Sequence, residues 1–153
     1  MRRTILMKIV AGNWKMHKTT QELRDFFEAF DGKEITPNAR CIVAPSPTLM
    51  TEALAASKTL PFDIFSQNCH WEDEGAYTGE ISPTQLLDLG VKGSLVGHSE
   101  RRQHFGENDK TCLMRTQALR RNKLEVIFCV GESLKEREAG KTREVLETQL
   151  AGI

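Results

Sequence analysis

Ser94-Leu95-Val96-Gly97-His98-Ser99-Glu100-Arg101-Arg102 holds the transition that decides the fold. A short apolar run, Ser94 to Val96, passes through one glycine into a histidine, a serine, a glutamate and two arginines. A strand buried on both faces has this form when it delivers polar groups at its carboxyl end, where parallel α/β folds gather their chemistry. Four more apolar runs repeat the pattern: Ile9 to Ala11, Cys41 to Ala44, Asp63 to Phe65, and Glu125 to Val130. Most are apolar throughout and do not alternate, so the expected sheet is parallel and covered on both sides.

Helix start signals stand between these runs. Thr19 lies three residues before Glu22, a capping box, and Leu23, Phe26, Phe27 and Phe30 follow at helical spacing. Ser46 with Pro47 reads as an N-cap followed by proline at the first helical position. Ser82, Pro83 and Gln85 combine both signals, and Gly90 ends that helix. Asn108 caps a helix from Asp109 to Arg121, which Asn122 ends. Ser133 and Glu136 form another capping box, with Gly140 breaking the helix before it resumes near Thr142. Strand and helix alternate five times, as right-handed βαβ crossovers require. A closed barrel and a doubly wound open sheet both satisfy this order.

The strand ends are conspicuously polar. They are Asn13 and Lys15 after the first run, Gln67 and Asn68 after the third, His98, Ser99 and Glu100 after the fourth, and Glu132 after the fifth. Four polar ends around one sheet define a concave polar site. The Lys15 ammonium suits a phosphate or a developing oxyanion. Position alone also allows a surface lysine whose stem packs. Asn13 can donate to a carbonyl or shape the turn, and Trp14 reads as a packing residue. His98 can be an acid, a base, a neutral donor or a structural histidine. Glu100, Arg101 and Arg102 read as ion-pair partners that hold the loop.

Composition narrows the alternatives. The 153 residues carry 21 basic and 21 acidic side chains and no basic run, so a nucleic-acid partner is not expected. One domain over 1–153, or part of a larger one, fits the length. Cys41, Cys69, Cys112 and Cys129 form no Cys-x-x-Cys pair and read as free thiols of a reducing compartment. Lys8 interrupts the apolar N-terminus, so a first strand is expected there and not a signal peptide. No run of about 18 apolar residues occurs, and no membrane span is expected. His17, His70, His98 and His104 lack metal-ligand spacing. Gly140-Lys141-Thr142 lacks the glycine that a phosphate loop needs at position 135, which is Lys135.

Five motifs carry a resemblance. Ala-Gly-Asn-Trp-Lys-Met at 11–16, Ala-Pro-Ser-Pro at 44–47 and Gly-Ala-Tyr-Thr-Gly-Glu at 75–80 are followed by Val-Gly-His-Ser-Glu-Arg-Arg at 96–102 and Cys-Val-Gly-Glu at 129–132. In this order they resemble the triosephosphate isomerase family, from about residue 9 onward. The resemblance implies a (β/α)8 TIM barrel, incomplete here, with strands one to five and their helices. It implies interconversion of dihydroxyacetone phosphate and glyceraldehyde 3-phosphate, in glycolysis and gluconeogenesis, by a cytoplasmic homodimer. This family is itself the standard example of a glutamate base working with a neutral histidine electrophile. His98 matches that histidine, Lys15 the lysine that stabilises negative charge, and Asn13 the asparagine beside it. Glu100, with Ser99 next to it, matches the support of the lysine. Thr78 falls on the loop that enters the partner subunit. No metal or organic cofactor is implied.

The departures are as specific as the match. A barrel of this kind takes roughly 250 residues. The base belongs to a sixth strand, and the lid and phosphate-gripping loops lie later still; none falls within these residues. Glu132 matches the glutamate after strand five and does not replace the base. The chain alone is therefore expected to be inactive, with open apolar edges near Ile9 to Ala11 and Val126 to Val130. A complementary C-terminal chain would complete it. A noncatalytic half-barrel serving assembly or binding is the alternative. A different sugar-phosphate barrel enzyme is disfavoured, because Asn13, Lys15 and His98 arrive together with their flanking motifs.

Overall fold

Five strands form where the apolar runs lie: β1 (Lys8–Asn13), β2 (Ala39–Ala44), β3 (Phe62–Ser66), β4 (Gly93–Val96) and β5 (Glu125–Phe128). The computed structural model describes residues 8–30, 39–151 and 153. The segment leading into the first strand, residues 1–7, lies outside them. All neighbouring strands pair in parallel, and their spatial order is their chain order. Seven helices connect or follow them among the described residues: α1 (Thr20–Glu28), α2 (Met50–Ala56), α3 (Pro83–Leu89), α4 (Ser99–His104), α5 (Asp109–Arg121), α6 (Leu134–Glu138) and α7 (Thr142–Leu150).

The sheet curls into part of a barrel. Two ion pairs that cross it make the curl visible. At the carboxyl ends, Lys15 beyond β1 reaches Glu100 beyond β4, with Nζ 2.6 Å from Oε1. At the amino ends, Arg40 of β2 reaches Glu125 of β5 at 2.6 and 2.7 Å. Each pair bridges strands with two others between them, a span of about 14 Å in a flat sheet.

Alternation sorts the side chains into two layers. Ile42, Ala44, Phe65 and Leu95 are buried together, with Ile127 packed against them. The other faces of the strands, through Val43, Ile64 and Val96, meet the helices through Leu23, Phe27, Met50, Ala53, Leu86 and Leu119. Trp14, Phe26, Phe27, Phe30 and Phe62 form an aromatic group in that outer layer, with Trp14 edge-on to Phe26 at 5.1 Å. The edge strand β1 has little cover: Ile9 is 62% and Val10 60% exposed.

Capping follows the sequence closely. Thr19, Ser82, Asn108 and Ser133 each close a reciprocal capping box at the start of α1, α3, α5 and α6. Gly90 ends α3 in the left-handed region, and Gly140, at φ 71°, separates α6 from α7. Thr19→Ala is expected to cost about 1 kcal/mol. A thermal melt should show it as a Tm lowered by roughly 2–4 °C.

Three local expectations change. Ser46 precedes a single 3-10 turn, Pro47–Leu49, and its hydroxyl meets Thr48 Oγ1 at 3.1 Å instead of capping a backbone N–H. The fifth run stops pairing at Phe128, because β4 ends at Val96; the Cys129 N–H donating to the Val96 carbonyl is the last rung. Glu100, Arg101 and Arg102, read as ion-pair partners holding a loop, lie in the short helix α4. It has no buried residue, and its hold comes from His98 at its start and from ion pairs.

Candidate active site

Asn13 ends β1 and shapes the turn after it. Its Oδ1 accepts the Lys15 backbone N–H at 2.9 Å. Lys15 stands at φ 54°, in the left-handed region that a non-glycine residue seldom occupies. A second tie holds it there. Gln67, beyond β3, donates its amide N–H to the carbonyls of Lys15 at 2.9 Å and Ala44 at 3.0 Å. The turn after β1 is thus bolted to the ends of β2 and β3, and it aims the Lys15 side chain across the sheet to Glu100.

Gly97 brings the fourth strand end into the same place. At φ 75°, an added Cβ would lie 3.1 Å from Cys112 Sγ and 3.2 Å from the Cys129 carbonyl, so only glycine fits without displacement. His98 then caps α4. The Glu100 backbone N–H donates to His98 Nδ1 at 3.3 Å, which fixes Nδ1 as an acceptor and puts the ring proton on Nε2. Glu100 Oε2 also lies 3.5 Å from Nδ1. That contact would be ionic only with a proton on Nδ1, and the backbone N–H already claims this nitrogen. The Lys15 hydrogen bond, first, and its charge hold the Glu100 carboxyl below the usual carboxylate range.

The structure therefore brings Asn13, Lys15, His98 and Glu100 together at the carboxyl ends of β1 and β4. Ser99 is exposed at the first position of α4. Thr78 is exposed in the loop between β3 and α3. No hydrogen bond joins it to the other four among the described residues. That loop is anchored at its base to α5. Arg121 bonds Asp73 and the Trp71 carbonyl, and Arg115 lies 4.9 Å over the Trp71 ring. Glu132 is turned away from an open role: Arg137 at 2.7 Å and Thr142 at 3.3 Å hold its carboxylate, and its side chain is 7% exposed.

Sequence reasoning missed a polar group beneath the site. Glu107 is buried between Arg101 and Arg115, and Arg102 bonds both the Gly97 carbonyl and Asp109. The tight turn Gly106, at φ 67°, is the only local signal that Glu107 folds back. None of the buried thiols is poised as a nucleophile. Burial pushes Cys69 up to about 12 and raises Cys112 and Cys129 as well.

Several carboxylates gain cationic partners on folding, and a pH dependence follows. Glu100, Glu125, Glu132 and Asp73 all lie below their ordinary values, mainly through hydrogen bonds from Lys15, Arg40, Arg137 and Arg121. The unfolded chain takes up these protons first as pH falls. Their stabilisation is complete above the ordinary values of 4.5 for Glu and 3.8 for Asp. It is lost as pH drops through the lower folded values. The urea midpoint should therefore fall between about pH 6 and about pH 3.

A curled parallel βα sheet with a lysine, an asparagine and a histidine converging at its carboxyl ends defines a barrel-class protein whose polar site lies at the C-terminal mouth. The family model described as triosephosphate isomerase matches residues 8–153. The chain is 46% identical over 142 residues to the triosephosphate isomerase of Moorella thermoacetica, covering 93% of this chain and 57% of that protein. It is 45% identical over 155 residues to that of Trichodesmium erythraeum, covering 99% and 62%. With that of Geobacter metallireducens the identity is 44% over 143 residues, covering 93% and 57%. The chain belongs to the triosephosphate isomerase family. It spans about three fifths of the length of these relatives.

Proposed function

We propose that these residues supply the electrophilic half of a triosephosphate isomerase site, which interconverts dihydroxyacetone phosphate and glyceraldehyde 3-phosphate once C-terminal βα units complete the barrel. The observation that carries this reading is the fixed geometry of His98, Lys15 and Glu100. With Nδ1 held by a backbone N–H, the imidazole presents its Nε2 proton as a neutral donor. Such a donor polarises a carbonyl and can pass protons between adjacent oxygens. The Lys15 ammonium gives one hydrogen to Glu100. It keeps two for the negative charge of a phosphate or an enediolate. Asn13 sets the turn that aims Lys15. A carboxylate base from those C-terminal βα units removes the proton from carbon, and no metal or organic cofactor takes part.

Family membership supports the rest of the reading. The working protein is a cytoplasmic homodimer of glycolysis and gluconeogenesis, with the loop carrying Thr78 entering the partner. The direct test is complementation. This chain, co-expressed with the C-terminal βα units of a relative such as the Moorella thermoacetica protein, should give isomerase activity in a coupled assay. Lys15→Met in the same complex should remove it. A soluble, folded complex with no activity would favour a noncatalytic half-barrel.

A further inference from the structure

We propose that Arg40, tied to Glu125 and Asp63, is a strap that sets the curvature of the half-barrel from its N-terminal end. All three donor positions of the guanidinium face are engaged. Nε donates to Asp63 Oδ2 at 2.6 Å, and Nη1 and Nη2 donate to the two Glu125 oxygens at 2.6 and 2.7 Å. The residues come from β2, β3 and β5, so one side chain spans four consecutive strands. Side chains stand roughly perpendicular to a sheet. Across a flat sheet, Arg40 and Glu125 would run side by side about 14 Å apart. The two-point contact therefore exists only when the amino ends of β2 and β5 converge.

The strap continues the interior packing. The guanidinium carbon lies 5.7 Å from the centre of the Phe65 ring, which is buried with Ile42, Ala44 and Leu95. The Arg40 group bridges the strands at the amino ends of the sheet, while Lys15 and Glu100 bridge the carboxyl ends. None of the strap residues touches the candidate site, and the inference is independent of the proposed activity. The fork geometry matters more than the charge, because a lysine cannot hold both Glu125 oxygens and Asp63 in one plane. The side chains are a quarter to a half exposed, so salt weakens the strap.

The test reads curvature by distance. Nitroxides are attached to ketone-bearing residues replacing exposed Ala55 on α2 and Gln117 on α5. The labelled chain is diluted into unlabelled chain, so that electron double resonance sees only intramolecular pairs. Arg40→Met and Glu125→Gln should each shift the mean distance by more than the wild-type width, and Arg40→Lys should shift it less. Arg24→Met breaks a surface pair between α1 and α2 and should leave the distribution unchanged. Far-UV circular dichroism checks folding. Glu125→Gln keeps the Asp63 contact and serves if Arg40→Met fails to fold. A Glu125→Gln distribution that superimposes on wild type would overturn the proposal. So would an equal shift in Arg24→Met.

Discussion

Assayed alone, the 153-residue polypeptide is expected to convert triose phosphate at less than about one ten-thousandth of the rate of a complete relative. A positioned general base contributes about 10²–10⁴-fold by itself. Loss of the groups that orient the substrate and exclude water costs more, because orientation is worth several further powers of ten. Among the described residues the site offers a donor and a cation, Nε2 of His98 and Nζ of Lys15, and its carboxylate, Glu100, is bonded to Lys15. Glu132 is poorly placed to take over, since Arg137 and Thr142 both bond its Oε1 and its side chain is 7% exposed. A coupled assay of the purified chain decides this. Turnover within tenfold of a complete relative would show that the base lies inside these residues.

Replacing Phe65 by alanine should produce the largest loss of stability of any single change in the barrel interior, about 3–5 kcal/mol. Phe65 is 1% exposed and fills the space enclosed by Ile42, Ala44 and Leu95. That space exists because position 93 is glycine. A Cβ there would overlap the Phe65 ring and the Glu125 carbonyl. Gly93→Ala alone should therefore cost about 1–3 kcal/mol through overpacking. In the double variant the new methyl enters the void left by the ring, yet the Glu125 backbone still crowds it. The double variant should be less destabilised than the sum of the singles, by at least about 0.5 kcal/mol. Urea midpoints of the three variants measure it, and strict additivity would mean that the two side chains do not share one space.

The sequence was most legible where the physics is local. Capping boxes at Thr19, Ser82 and Ser133, and the Asn108 cap, satisfy orphan backbone groups within four residues, so their patterns survive in the linear text. The apolar stretches of β2, β3 and β4 read as cleanly because their buried residues face a core on both sides, whereas β1 is apolar yet largely exposed. Legibility failed where the stabilising partner is remote. Helix α4 has no apolar face, and Arg101 and Arg102 hold it through Glu107 and Asp109. The Arg40 group joins residues up to 85 positions apart, and Asp63 and Glu125 read only as the first residues of apolar runs. Lys15 and Glu100 are equally distant. Their pairing was anticipated by family resemblance, not by spacing. The same holds for the choice between a barrel and an open sheet, which strand order could not make.

The proposed site requires the first five βα units to hold the electrophilic half in place. Its most direct measurement is 15N NMR of the His98 ring in the chain assembled with C-terminal βα units at neutral pH. The hydrogen bond from the Glu100 backbone to Nδ1 predicts a bare, acceptor-type Nδ1 and a protonated Nε2. A ring carrying its proton on Nδ1 would contradict the account, because the nitrogen facing α4 would then be a donor and Nε2 would have no proton to offer a substrate oxygen.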